Sequence, residues 1–135
     1  QKKKQKQTIG IGIKMAKKAY VVKTDGSVNE VWAEWDLDEI QQEVGGYISS
    51  VSFGDKKYFA YINDEGKLMN LPENVIATDL WYDSGQTILL GDYLCGNAVF
   101  FGEVDDEGND TDAPKELWNE LEKVVTRRHR INTSR

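Results

Sequence analysis

The sequence predicts a single α+β domain, a mostly antiparallel sheet with two or three helices packed on one face. Two pairs of short apolar runs, each joined by a glycine-bearing turn, point to hairpins and so to antiparallel pairing. Further stretches place apolar residues at helical spacing behind a capping residue. A length of 135 residues, 39% of them hydrophobic, gives room for one core and not for two.

The first hairpin is "AYVVKT" and "SVNEVWAEW" around Asp25 and Gly26; Val28, Val31 and Trp32 alternate imperfectly, which predicts a bulge or an irregular end. "DLDEIQQEV" follows as a helix, with Asp36 as N-cap, Leu37, Ile40 and Val44 on one stripe, and Gly45 and Gly46 as the stop. "YISSVSF" and "KYFAYIN" form the second hairpin, turning at Gly54 and Asp55. Its first strand puts Tyr47, Ser49, Val51 and Phe53 on one face and Ile48, Ser50 and Ser52 on the other. Asp64, Glu65 and Gly66 turn the chain, and Pro72, which has no N–H for a ladder, marks a loop. "ENVIATDLWYD" reads as a short helix anchored by Val75, Leu80 and Trp81 and ended by Gly85. "TILL" and "LCGNAVFFGEV" supply one or two further strands, the second apolar enough to be central. "APKELWNELEKVVTRRHR" is the last helix, with Asp112 offering an N-cap, Pro114 in the first turn, and Leu117, Leu121 and Val124 on one stripe flanked by Trp118 and Val125.

Charge is segregated along the chain. The stretch from Met15 to Glu122 holds all 23 acidic residues and only seven basic ones, a formal charge of −16 (seven minus 23). Five lysines and no acid occupy residues 1–14, and the last 13 residues are likewise basic. Two readings of residues 1–14 stand: a disordered basic leader that is not native, with Met15 as the natural start, or a disordered basic arm. The expected organisation is that leader, an α+β domain over 15–112, an amphipathic helix over 113–130 and a disordered tail over 131–135. One cysteine, Cys95, excludes an internal disulfide and a cysteine-based zinc site, and suits a reducing compartment. No apolar run reaches spanning length, so a soluble, intracellular protein with no membrane association is expected.

The chemical motifs are incomplete. With Gly108 at position 6 of a calcium loop, Glu103, Asp105 and Glu107 fall at ligand positions 1, 3 and 5, but position 12 is Pro114, which has no side-chain oxygen. "GDYLCGNA" has phosphate-loop glycine spacing, yet Asn97 and Ala98 stand where lysine and Ser/Thr are required. His129 lies in the basic tail, away from apolar anchors, and Cys95 lies in an apolar strand, so neither suggests a nucleophilic constellation. The acidic glycine turns are therefore read as turns, with no metal and no cofactor expected.

The order "YVVKTDG", "GGYISSV", "YINDEGKLMNLPENVIAT", "GDYLCGNAVFFG" and "DDEGNDTDAP" resembles domain of unknown function 3846, a family of small proteins of bacteriophages, plasmids and the bacteria that carry them. The matching positions are Gly45, Gly46 and Tyr47; Asn63, Glu65, Gly66 and Leu68; Leu71, Pro72 and Asn74; Ala77 and Thr78; and Gly91, Asp92 and Gly102. The resemblance runs from Ala19 to Pro114; "LCGNAVFFG" departs from it, carrying Asn97 where a plain apolar strand is usual, and the last helix extends beyond it. It implies an accessory protein of a mobile element, located in the cytoplasm of a bacterial host, and no particular activity.

The expected function is accordingly non-enzymatic: an accessory protein that binds a host protein or a small ligand and modulates host defence. Tyr47, Asn74, Thr78 and Trp81 are the candidate binding residues. The alternatives are an acidic inhibitor that imitates DNA, and a nucleotide-acting enzyme, which would need a deep pocket holding Lys23, Lys56 or Lys67. Nucleic acid is not an expected partner of so acidic a body.

Overall fold

In a computed structural model, residues 15–133 are described; the basic leader 1–14 and the last two residues of the tail lie outside them. Five strands form one antiparallel sheet: β1 (Lys17–Val22), β2 (Val28–Ala33), β3 (Ile48–Ser52), β4 (Tyr58–Asn63) and β5 (Ala98–Gly102), in the order β2-β1-β5-β4-β3. Three helices accompany it: α1 (Leu37–Val44), α2 (Val75–Asp83) and α3 (Lys115–Thr133). None of the described helices is long and apolar enough to cross a membrane.

Both hairpins form where the glycine turns place them. Gly26 takes a left-handed φ of +90°, and Lys23 and Ser27 close the loop with an N–H to O bond of 2.9 Å. The β1–β2 register is unbroken from Lys17 opposite Ala33 to Val22 opposite Val28, so there is no bulge within the pair. The irregularity comes after it, at Trp35, whose φ of +53° swings the chain off the sheet. That turn drops the Trp35 ring edge-on against Phe101, at 5.9 Å between centroids.

β5 is the central strand, paired with β1 on one side and β4 on the other, and all five of its residues are buried. Alternation sends Ala98 and Phe100 to one face and Val99 and Phe101 to the other. The first face carries the main core, where α2 brings Ile76, Ala77 and Leu80 and α3 brings Leu117, Leu121 and Val124. The second face is closed by α1 through Ile40 and Val44. Two helices thus share one face, and the third covers the other. Because α3 contributes three residues to the main core, it belongs to the same domain as the sheet.

α1 is capped as its sequence indicates. The Asp36 carboxylate accepts from Glu39 N–H at 2.9 Å, and Glu39 accepts from Asp36 N–H at 3.0 Å. α3 is not capped by Asp112: its carboxylate accepts from Lys18 N–H at 2.9 Å and ties the 111–113 segment to β1, while the helix begins at Lys115. α3 then runs on through Ile131, Asn132 and Thr133, past the expected end at residue 130. Of the two apolar runs after α2, only the second becomes a strand. β5 takes its partners from β1 and β4, and "TILL" forms a loop that holds Leu89 and Leu90 in solvent.

Candidate functional site

Beside β3, on the helix side of the sheet, lies an open cavity of about 310 Å³. Ser49 and Val51 of β3 and Ile62 of β4 form its sheet side, Trp81 of α2 stands across from them, and two loop segments, 63–68 and 92–95, complete the wall. Both segments are set by local chemistry. Asn63 ends β4 in a side-chain-mediated turn: its Oδ1 accepts from Glu65 N–H at 2.7 Å, and its Nδ2 donates to the Val44 carbonyl at 3.2 Å. Gly66 then passes so close to Cys95 that a methyl group there would lie 3.2 Å from the Cys95 Cβ. Just past the two segments, Gly96 N–H donates to Pro72 O at 2.8 Å and joins the stretches that follow them.

Asn74 and Thr78 hold that second segment from below. Asn74 is fully buried; its Oδ1 caps α2 by accepting from Ala77 N–H at 3.0 Å, and its Nδ2 donates to the carbonyls of Val22 and Gly96, both at 2.9 Å. Thr78 Oγ1 accepts from Leu94 N–H at 3.0 Å. These two polar side chains, picked out in the sequence as binding candidates, join α2, β1 and the cavity wall. Trp81 does line the cavity; its indole N–H is buried and finds no acceptor among the described residues. Tyr47 stands outside the cavity with its side chain in solvent, and its carbonyl accepts from Asp64 N–H at 2.8 Å. The structure thus brings one of the four into the wall, places two beneath it and leaves one apart.

Three lining residues outside that set interact with one another: Lys67, considered in the sequence only as a phosphate cation, with Asp92 and Tyr93. Lys67 forms an ion pair with Asp92 and sits over the Tyr93 ring at 4.7 Å. Its hydrogen bond to Asp92 raises the lysine pKa and lowers that of Asp92. Burial pushes the Cys95 thiol up, so the neutral thiol is favoured. No spacing rule links Lys67 to Asp92, 25 residues away, and the "GD" at Gly91 and Asp92 was the only local signal. Asn97, the residue out of place in the family pattern, also has a structural task. It accepts from Thr24 N–H at 3.2 Å and donates to Glu43 O at 3.2 Å, bridging the first hairpin to α1.

The other charged features are engaged elsewhere. Asp105 closes its own turn by accepting from the N–H groups of Glu107 and Asn109, both at 2.9 Å, and these backbone bonds lower its pKa. Asp110 accepts from the Tyr61 hydroxyl at 2.9 Å. Among the described residues no group of three or more His, Cys, Asp or Glu could hold a metal ion. In the basic tail, Arg127 pairs with Asp83 at 2.9 Å, and Arg128 grips Asp79 through two bonds of 2.5 and 2.9 Å. Two of the tail's arginines therefore lie against the acids of α2. Lys56 is paired with Glu120 at 3.4 Å.

No curated protein and no solved structure shows a match to the chain. The family model described as Domain of unknown function (DUF3846) matches residues 16–126. The match passes Pro114 and enters α3, in keeping with the burial of Leu117, Leu121 and Val124 in the shared core. The chain belongs to that family.

Proposed function

We propose that this chain is a non-enzymatic accessory protein of a phage or other mobile element, which acts by binding a host protein in the bacterial cytoplasm and so modulates host defence. The observation that carries the binding reading is the exposure of three leucines on the segments around Lys67 and Asp92. Leu68 is 84% exposed next to Lys67, and Leu89 and Leu90 are 81% and 104% exposed on the turn leading into Asp92. The Lys67–Asp92 ion pair ties together the two segments that carry them. Each such leucine is worth roughly 1.5–3 kcal/mol when a partner covers it, and exposed apolar clusters of this kind mark interaction surfaces.

The charges at the mouth favour binding over catalysis. Asp92 is held anionic and Lys67 cationic by each other, so neither is poised to exchange a proton near neutrality. Cys95, with its pKa raised, is a poor nucleophile. Lys67 is moreover already neutralised and does not offer a free charge to a nucleotide phosphate.

The reading is tested by affinity purification from cells carrying the mobile element, using the natural chain and a Leu68→Asp, Leu90→Asp variant. A host protein retained by the first and lost by the second, at unchanged thermal stability, is the expected result. Equal recovery by both chains, or turnover of a nucleotide by the purified protein, would sink it.

A further inference from the structure

The two outer strands of the sheet are unlike. β2 is guarded: Glu30 lies within it, the Glu30 carboxylate accepts from the exposed Trp32 indole N–H at 2.9 Å, and Trp35 turns the chain sharply away. β3, "ISSVS", has neither a charge nor a proline, and among the described residues its backbone pairs only with β4. Sheet proteins protect an outer strand with lysine, proline, a bulge or a covering element, because its free N–H and C=O groups otherwise recruit another strand. β3 has none of the first three, and the cavity opens directly beside it.

That neighbourhood is suited to one kind of strand. Ser49 and Val51 face the cavity, opposite Trp81 with its buried, unpartnered indole N–H. Asp64 and Glu65 line the same cavity, and neither carboxylate meets a cation among the described residues. Among the described residues the only basic one lining it, Lys67, is held by Asp92. An occupant that brings positive charge is therefore favoured. A second copy pairing through the same edge brings none there: its β3 is uncharged, and such pairing would set Asp64 and Glu65 of both copies along one joined sheet.

We infer that β3 is a docking edge for an extended, lysine- or arginine-bearing segment of a partner protein, which joins the sheet as a sixth strand. The inference rests on the binding reading above and supplies its mode. Such a segment lies about 4.8 Å from β3, and its side chains reach the cavity at every second residue. Main-chain bonds to β3 provide affinity; an apolar side chain against Val51 and Trp81, with a basic one at Asp64 and Glu65, provides selectivity.

The test pans a displayed library of short linear peptides against the full chain, then measures the selected peptides in solution. Selected sequences should be free of internal proline and carry a basic residue. N-methylation at alternate amides should weaken them roughly tenfold while the intervening amides tolerate it. Amide exchange of residues 48–52 should slow on binding. Lysine at Ser50 and Ser52, both exposed, should abolish binding without unfolding the chain.

Peptides that bind but tolerate N-methylation at every position would overturn edge docking and leave the binding reading intact. Selection of acidic or neutral peptides would overturn the stated occupant, as would a dimer in sedimentation that disappears on Ser52→Lys. If no peptide is selected, docking at β3 is wrong, and the purification described above separately decides whether the protein binds a partner by another surface.

Discussion

Asn74→Ala should be among the most damaging single changes outside the apolar core. The side chain is fully buried and makes three hydrogen bonds, donating to Val22 O and Gly96 O and accepting from Ala77 N–H. Alanine leaves two carbonyls and one N–H without these partners, each worth about 1–3 kcal/mol when buried, and the N–H loss includes the helix cap. Some relaxation is available, since carbonyls accept more than one bond, so the loss is put at roughly 3–5 kcal/mol. Against a total stability of about 5–15 kcal/mol the variant still folds, but with a much lower denaturation midpoint. Asn74→Asp is the sharper probe. It retains the cap acceptor but aims a carboxylate at two carbonyls, so it should be at least as damaging at neutral pH and recover in part when acid protonates it. Urea unfolding followed by fluorescence of the four tryptophans reads both. A cost below about 1 kcal/mol for the alanine variant would refute the account and return Asn74 to the list of binding residues.

Four further outcomes follow from the geometry. Gly54→Ala should cost roughly 2–4 kcal/mol, because the residue sits at φ +60° and its Cβ would fall 2.3 Å from Ser84 O; Gly85→Ala, at φ +84° with nothing within 4 Å, should cost only about 1 kcal/mol. Equal midpoints for the two would show that the Ser84 contact is immaterial. Tyr61 is pushed up to about 12 by burial and by its bond to Asp110, and burial with the Glu120 bond pushes Tyr58 up further. A raised folded-state pKa stabilises below the ordinary value near 10.0 and ceases to do so as pH rises through the folded one. Stability should therefore fall between pH 10 and 12, and less steeply in Tyr61→Phe; a flat profile over that window contradicts it. Trp81→Phe should change stability by less than about 1 kcal/mol, since relief of an unpaired buried N–H offsets the lost ring area, yet it should weaken partner binding. Arg128→Lys replaces a two-point grip on Asp79 with a single one; as the pair is partly exposed, the thermal midpoint should drop slightly and the drop should shrink in high salt.

The elements were legible because their signals are local. Glycine turns at Gly26 and Gly54, the Asp36 cap and the apolar stripe of Leu117, Leu121 and Val124 each depend on residues a few positions apart, and each appears where expected. The central place of β5 was legible too, since a strand buried on both faces must be apolar throughout. "TILL" shows the limit: an apolar run becomes a strand only if the rest of the fold carries it alongside a strand edge, and that is a property of the whole chain.

The site was less legible for the same reason. Asn74 and Thr78 stood out as polar positions of the family pattern, but whether they serve a ligand or the protein's own backbone depends on what lies above them. Folding brings Val22, Leu94 and Gly96 there from distant parts of the chain. The Lys67–Asp92 pair, the wall that includes Trp81 and the unguarded edge of β3 likewise exist only once separate segments meet. By itself, then, the chain's sequence determined which stretches turn, coil or extend and which family they resemble, since those follow from backbone preference and short-range spacing. Which polar groups are satisfied internally, which edge stays open and what surrounds it were decided only by tertiary packing, because burial and pairing are properties of neighbours that are not adjacent in the chain.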